Sequence, residues 1–251
     1  MTEREQILSV ENVDKRFGEV VALQNVNLDL HQGEILGLAG DNGAGKSTLI
    51  KIINGAIQPD GGTILFDGEP VDLQNTRDAK QLGIQTTFQH LALAPNLTVT
   101  ENIFLTRESV TGWGPLGFLR KREMRNRTQE LLDQLGIDVD PTAEVGNLSG
   151  GEQQLVAISR TMLTEPEVII MDEPTSALSV EGADKVTALI NRMQDQGVSI
   201  ILISHNLEWI HDIVDRVVVL HHGEVAGAFE SDEVTRDTLV ERMVRGRPST
   251  A

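Results

Sequence analysis

The 251-residue sequence has no cysteine and no tyrosine, and aromatic residues make up only 3% of it. Without cysteine there is no disulfide framework, no thiolate metal site and no thiol nucleophile, which fits a reducing compartment. So few aromatics argue against a nucleic-acid binder that works by stacking bases. Basic residues are also scarce, 21 against 38 acids, for a formal net charge of −17. A surface of that sign repels a phosphate backbone overall, so no nucleic-acid partner is expected. The start, MTEREQILSV, has neither the basic nor the apolar stretch of a signal peptide. No uninterrupted apolar run approaches the roughly 18 residues that span a bilayer. The expectation is a soluble chain that meets a membrane only through a partner.

What is present describes an ordinary globular protein, 39% hydrophobic and 24% charged, too apolar to be disordered and long enough for a sizeable core. The acidity reads first as a solubilising surface, with adaptation to high salt or a basic partner as alternatives. It does not forbid a local anion site. From Ile7 the stretches ILSVENV, VVALQNVNLDL and EILGLA are short and rich in β-branched residues, as strands are. The last runs into a glycine turn at Gly40, after which STLIKIINGAI has helical spacing to about Gly55. PDGGTILFDGEPV reads as a hairpin with turns at Asp60-Gly61 and Asp67-Gly68. Residues 91–165 then read as a helical insert. Its segment 119–136 starts with Arg120, Lys121, Arg122, Arg125 and Arg127, most simply a solvated helix face. After Pro166, the runs VIIM, SIILI and VVVL suit parallel strands covered on both faces. Residues 180–196 between the first two carry Val186, Leu189, Ile190 and Met193 on one helical face. An α/β core of residues 1–90 and 166–251 is therefore expected around the insert.

Three motifs carry chemistry. Gly40, Asp41, Asn42, Gly43, Ala44, Gly45, Lys46 and Ser47 spell G-x-x-x-x-G-K-S between a strand and a helix. Glycines let successive N–H groups point inward, and the helix start adds its positive dipole end, so this layout cradles phosphates. Lys46 would reach the β- and γ-phosphates, and the Ser47 hydroxyl would ligate Mg²⁺. Asp172 and Glu173 end the apolar run EVIIM, at the carboxyl end of a strand where ligands of open α/β sheets bind. Asp172 is placed to hold the metal through its coordination shell and Glu173 to orient or deprotonate an attacking water, although paired acids there could instead cap the next helix. Ser149, Gly150, Gly151 and Glu152 open another helical stretch and form a second anion cradle, or an ordinary N-cap and turn. Inside one monomer the second cradle has no evident use.

These residues together resemble the nucleotide-binding subunit of an ATP-binding cassette transporter, over nearly the whole length. Residues 40–48, ending with Thr48, resemble that family's Walker A loop. Residues 168–173 resemble its Walker B strand, and LSGGEQ (148–153) its signature. Gln89 in TTFQH is similar to the Q-loop glutamine, His205 in ILISHN to the switch histidine, and Phe17 in KRFG to the adenine-stacking residue. The resemblance implies a single P-loop NTPase cassette: a mostly parallel core sheet, an N-terminal antiparallel β subdomain and an inserted α-helical subdomain. It implies ATP and Mg²⁺ as ligands, and a head-to-tail homodimer with two ATP molecules sandwiched between the copies. Ser149 and Gly151 of one copy would contact the γ-phosphate held by Lys46 of the other. Gln89 would sense Mg²⁺ or the attacking water, and His205 would hydrogen-bond the γ-phosphate. Read alone, His205 is more simply a structural histidine and Phe17 a core residue.

Further partners implied are transmembrane permease subunits, docking in the region of residues 89–102, and indirectly an external solute-binding protein. The place implied is the cytoplasmic side of the membrane. Ser179 stands where the family commonly has Asp. That serine, together with LTVTENIFLTRE (97–108), resembles monosaccharide importers, whose cassettes are often fused in tandem whereas this is a single copy. The leading expectation is an ATPase driving simple-sugar uptake. Alternatives are the cassette of an exporter or of an importer of another solute, or a soluble cassette ATPase of translation or DNA maintenance. A non-cassette kinase or GTPase fails on LSGGEQ and on the missing N-K-x-D guanine reader.

Overall fold

The computed structural model of the chain describes residues 5–87, 91–107, 110–111, 118–176 and 178–247. Two compact units form, one from Met1–Thr86, Pro166–Glu173 and Gln194–Ala251, the other from Thr87–Glu165 and Pro174–Met193. In chain order the elements begin with β1 (Gln6–Phe17), β2 (Val20–His31), β3 (Ile35–Gly40), α1 (Lys46–Ile53), β4 (Gly61–Phe66), β5 (Glu69–Val71), α2 (Thr76–Gln81) and β6 (Ile84–Thr87). There follow α3 (Val99–Ile103), the two-residue β7 (Val110–Thr111) and β8 (Phe118–Leu119), α4 (Lys121–Leu135) and α5 (Gly150–Met162). The chain continues with β9 (Val168–Asp172), α6 (Val180–Asp195), β10 (Ser199–Ile203), α7 (Leu207–Ile213), β11 (Arg216–His221), β12 (Glu224–Glu230) and α8 (Arg236–Arg245).

The first unit holds two sheets. One, ordered β2-β1-β4-β5, is antiparallel throughout. The other is ordered β12-β11-β3-β10-β9-β6; β11, β3, β10 and β9 pair in parallel, and β12 adds antiparallel at the edge. Every residue of β3 and of β10 is buried, which is why their sequences are apolar without alternation. Asp67 and Gly68, at φ 51° and 76°, close the β4–β5 hairpin with the left-handed pair a two-residue turn needs. The hairpin turn expected at Asp60-Gly61 is not one, because β4 pairs with β1 from Leu8↔Phe66 to Asp14↔Gly61. Asp60 instead accepts hydrogen bonds from Lys15 Nζ and the Arg16 N–H, both at 2.7 Å. These hold its carboxyl below the usual range.

In the second unit, α4 turns Met124, Thr128, Leu132 and Leu135 inward and ends on a left-handed Gly136, as its spacing predicts. Its basic start is exposed. Among the described residues no helix is long and apolar enough to cross a membrane.

Candidate functional site

β3 brings the chain to Gly40 beside β11, in register with Leu220. A side chain could not be housed there: a Cβ would lie 2.6 Å from the Leu220 carbonyl oxygen. At Gly45, φ 108°, it would lie 2.7 Å from Leu23 Cδ2 and 2.8 Å from the Ala22 carbonyl oxygen. Gly43, at φ 81°, is left-handed with open space around it. The loop thus wraps tightly into α1, whose first residue, Lys46, is buried. Its ammonium donates to the carbonyls of Gly40 at 2.7 Å and Asp41 at 3.1 Å. Burial pulls the Lys46 pKa down, opposed by Glu173, Asp172 and Asp41. Asn42, Gly43 and Ser47 are exposed and Thr48 half-buried. An ammonium already stripped of water, at a helix start with freed N–H groups, fits the charge and spacing of a polyphosphate.

The acids follow from β9 and β10, whose register sets Ile203 opposite Asp172. Burial raises the pKa of both Asp172 and Glu173; Lys46 and His205 draw Asp172 back, and His205 does the same for Glu173. The Glu173 backbone is left-handed at φ 53°, pinned by its N–H donating to the Ile203 carbonyl at 2.9 Å. A strained, over-determined residue of this kind is characteristic of active sites. His205 Nε2 lies 3.3 Å from Glu173 Oε1, and the histidine side chain is 58% exposed against 13% for the glutamate. The structure therefore brings the two expected reaction groups together, and the exposed His205 is no structural core residue. Ser47 and Asp172 offer the hard oxygen donors that Mg²⁺ takes alongside phosphate oxygens and water.

Sequence reasoning missed two supports of this site. Ser204 Oγ donates to Glu173 Oε2 at 3.4 Å and accepts the Asn206 N–H at 3.1 Å. Gly223, in the β11–β12 turn, donates its N–H to the Ala44 carbonyl at 3.0 Å and accepts the Gln24 N–H at 2.8 Å. The only signal for it was a glycine after a strand. Phe17 ends β1 with 51% of its area exposed and Lys15 Nζ 5.6 Å from its ring centroid. An accessible ring in that position is available for stacking. Gln89 lies outside the described residues.

The second cradle stands in the second unit. Ser149 caps α5, its hydroxyl accepting the Glu152 N–H at 3.3 Å and donating to Glu152 Oε2 at 2.7 Å. The Ser149 N–H donates to the same carboxylate at 2.8 Å. These bonds hold the Glu152 carboxyl below its usual range. Glu152 thus closes a capping box, leaving the amides of exposed Gly150 and half-buried Gly151 at the helix start. Gly151 packs against Gly182 of α6; a Cβ on it would lie 3.1 Å from the Gly182 Cα. Ser179 accepts the Gly182 N–H at 3.2 Å, so serine starts α6 as Asp would.

Comparison with known proteins places this geometry in a family. The family described as ABC transporter matches residues 23–176. The chain is 43% identical over 238 residues to ribose import ATP-binding protein RbsA 1 of Rubrobacter xylanophilus, covering 95% of this chain and 47% of that protein. It is 41% identical over 238 residues to xylose/arabinose import ATP-binding protein XylG of Sulfolobus acidocaldarius, covering 94% and 93%. The chain thus spans about half the length of the ribose-import relatives and nearly all of the xylose/arabinose one. Among solved structures, a nucleotide-free ATP-binding cassette from an ABC transporter superposes with a TM-score of 0.84 at 28% identity, covering 96% of this chain and 98% of that one. A dimeric cassette in a post-hydrolysis state, bound to ADP and phosphate, gives 0.73 at 29% identity, covering 90% and 99%.

Proposed function

We propose a function from one premise: the chain belongs to the ABC transporter family. It is the ATP-hydrolysing subunit that energises a membrane transporter for simple-sugar uptake. The observation that carries the reading is the Glu173–His205 pair, 3.3 Å apart at the carboxyl ends of β9 and β10. In the reaction Lys46 leaves its own loop carbonyls for the β- and γ-phosphates. The loop amides orient the triphosphate for in-line attack. Glu173, its pKa raised by burial, accepts a proton from the attacking water at its carboxylate. His205 donates a hydrogen bond to the γ-phosphate and holds the Glu173 carboxylate in place. Ser47 and Asp172, with Gln89 as a further candidate ligand, would hold Mg²⁺, which would supply electrostatic stabilisation of the charge developing on the phosphate oxygens.

Two cradles in one chain, at Lys46 and at Ser149–Gly151, find a common use when two copies pair head to tail, each signature closing the partner's nucleotide. The dimeric cassette structure among the relatives supports such a homodimer. The sugar assignment rests on the names of the relatives and on Ser179 with residues 97–108. The subunit works on the cytoplasmic face of the membrane, bound to permease subunits that an external solute-binding protein serves. In the second unit a cavity of about 530 Å³, lined by Leu97, Thr98, Thr100, Glu101, Leu105 and Met124 among others, supports permease docking along the region after Gln89.

Glu173→Gln tests the assignment. The variant is expected to bind ATP as the native chain does, hydrolyse it roughly 10²–10⁴-fold more slowly and accumulate as an ATP-bound dimer in light scattering. Normal turnover in that variant would overturn the reading.

A further inference from the structure

The segment 91–98, which leads to the wall of the 530 Å³ cavity, is gripped from two sides within the second unit. On one side Asn102, fully buried on α3, donates through Nδ2 to the carbonyls of Ala94, Leu97 and Thr98 at 3.0, 3.2 and 3.0 Å. Its Oδ1 accepts the Ala94 N–H at 2.7 Å. On the other side Arg160 of α5 donates through Nη1 to the Ala92 carbonyl at 3.0 Å and through Nη2 to the Leu91 carbonyl at 3.4 Å. Ala92 itself is left-handed, at φ 46°, a conformation a Cβ disfavours and one that persists only where neighbours impose it. Burial works against the Arg160 charge, and Arg107 adds repulsion. Among the described residues its guanidinium makes no ion pair, and its partners are these two carbonyls. A charge kept half-buried on neutral carbonyls is a placed fork rather than a solvated face.

We propose that Arg160 is a positioning residue that ties the helix of the Ser149–Glu152 cradle to the docking cavity, by clamping Leu91 and Ala92 so that Ala92 stays left-handed. The link runs along one rigid helix. α5 starts at the signature cradle, carries Arg160 near its end, and Arg160 holds the segment whose far end, Leu97 and Thr98, lines the cavity. A shift of α5 when its cradle meets a nucleotide then carries Leu91 and Ala92 with it and moves the cavity wall. The inference rests on the proposed function for what the cavity docks, but the clamp itself does not.

The test uses the full-length chain as wild type, Arg160→Gln, Arg160→Lys, Ala92→Gly and the Ala92→Gly/Arg160→Gln double variant. Hydrogen exchange without nucleotide reads the clamp at the amides of Ala94, Leu97 and Thr98, all hydrogen-bonded in the structure. Arg160→Gln is expected to raise their exchange roughly tenfold. It should lower kcat roughly tenfold while KM and Kd for ATP stay within about twofold, since the phosphate loop is untouched. Arg160→Lys, a single point donor, falls between. Ala92→Gly removes the cost of the left-handed backbone, so Arg160→Gln should lose only about twofold in kcat in that background. Unchanged exchange in Arg160→Gln, an equal loss in both backgrounds, or kcat falling only in step with the folded fraction would each overturn the proposal. A wild type without ATPase activity would sink the proposed function, while the exchange measurement would still decide the clamp.

Discussion

Asp172 and Glu173 are neighbours in sequence, yet only the second has its backbone forced left-handed and its carboxylate set beside a histidine. The raised Glu173 pKa has two consequences of definite sign. Below it the carboxyl keeps its proton and cannot take one from water. The rate of ATP hydrolysis should therefore fall as pH drops through a value above the ordinary glutamate range near 4.3, and a pH–kcat profile reads this directly. For stability, a folded pKa above the unfolded one favours the fold below the unfolded value, and that advantage is lost as pH rises through the folded value. Above that folded value the ionised Glu173 destabilises the native state. Glu173→Gln should consequently raise the melting temperature of the nucleotide-free protein. A lower Tm in calorimetry would show that the His205 contact outweighs burial. Lys46, Asp172, Glu173 and His205 were legible as candidates because their motifs specify residue type and spacing. Ser204 was not, because a serine beside a strand end carries no pattern until the neighbouring strand brings its partner to it.

At the scale of elements, the phosphate loop depends on a turn almost 180 residues further on. Gly223 is left-handed at φ 82°, and a Cβ on it would lie 2.7 Å from the Ala22 carbonyl oxygen. Gly223→Ala must push either the β11–β12 turn or β2 away, and the Ala44 carbonyl then loses its donor. The expected result is a loss of about 1–3 kcal/mol in denaturant unfolding. A severalfold rise in KM for ATP should accompany it, with kcat less affected, because the proposed phosphate loop shifts while Glu173 does not. An unchanged KM would show the brace to be dispensable. β9, β10 and β11 were legible as unbroken apolar runs, which a strand covered on both faces requires, and β3 as a short stretch running into a glycine turn. β12, an edge strand with a mixed burial pattern, and the short α3 and α7 left no comparable period. Asp60-Gly61 misled because a turn dipeptide cannot say which strand comes next to pair. Arg216 illustrates the same limit: it joins Glu34 at 2.8 Å and Asp29 at 2.9 Å, tying β11 to the end of β2 across more than 180 residues of chain. Burial opposes its charge, but these two carboxylates more than offset that and raise its pKa.

At the scale of the whole molecule, a net charge of −17 and a polyphosphate ligand are compatible because the attraction is local. Each cradle sits at a helix start with its own freed amides. In the proposed dimer a Lys46→Ala chain and a Ser149→Arg chain each lack one half of every site. A mixed dimer of the two regains one intact site, so mixing them should recover up to about a quarter of wild-type ATPase activity if pairing is random and the sites act independently. No recovery above either variant alone would show that the sites are not shared. The sequence by itself determined the local chemistry: which loop is wound as a candidate phosphate cradle, which strand end carries acids, and which helices start on a cap. Those depend on residues within one turn or strand of each other. Only the tertiary structure decided what lies across from them: His205 on Glu173, Gly223 under Ala44, Arg160 on Leu91 and Ala92. Such contacts are set by sheet order and helix packing, which bring together residues tens to nearly two hundred positions apart, and no period along the chain records a neighbour at that distance.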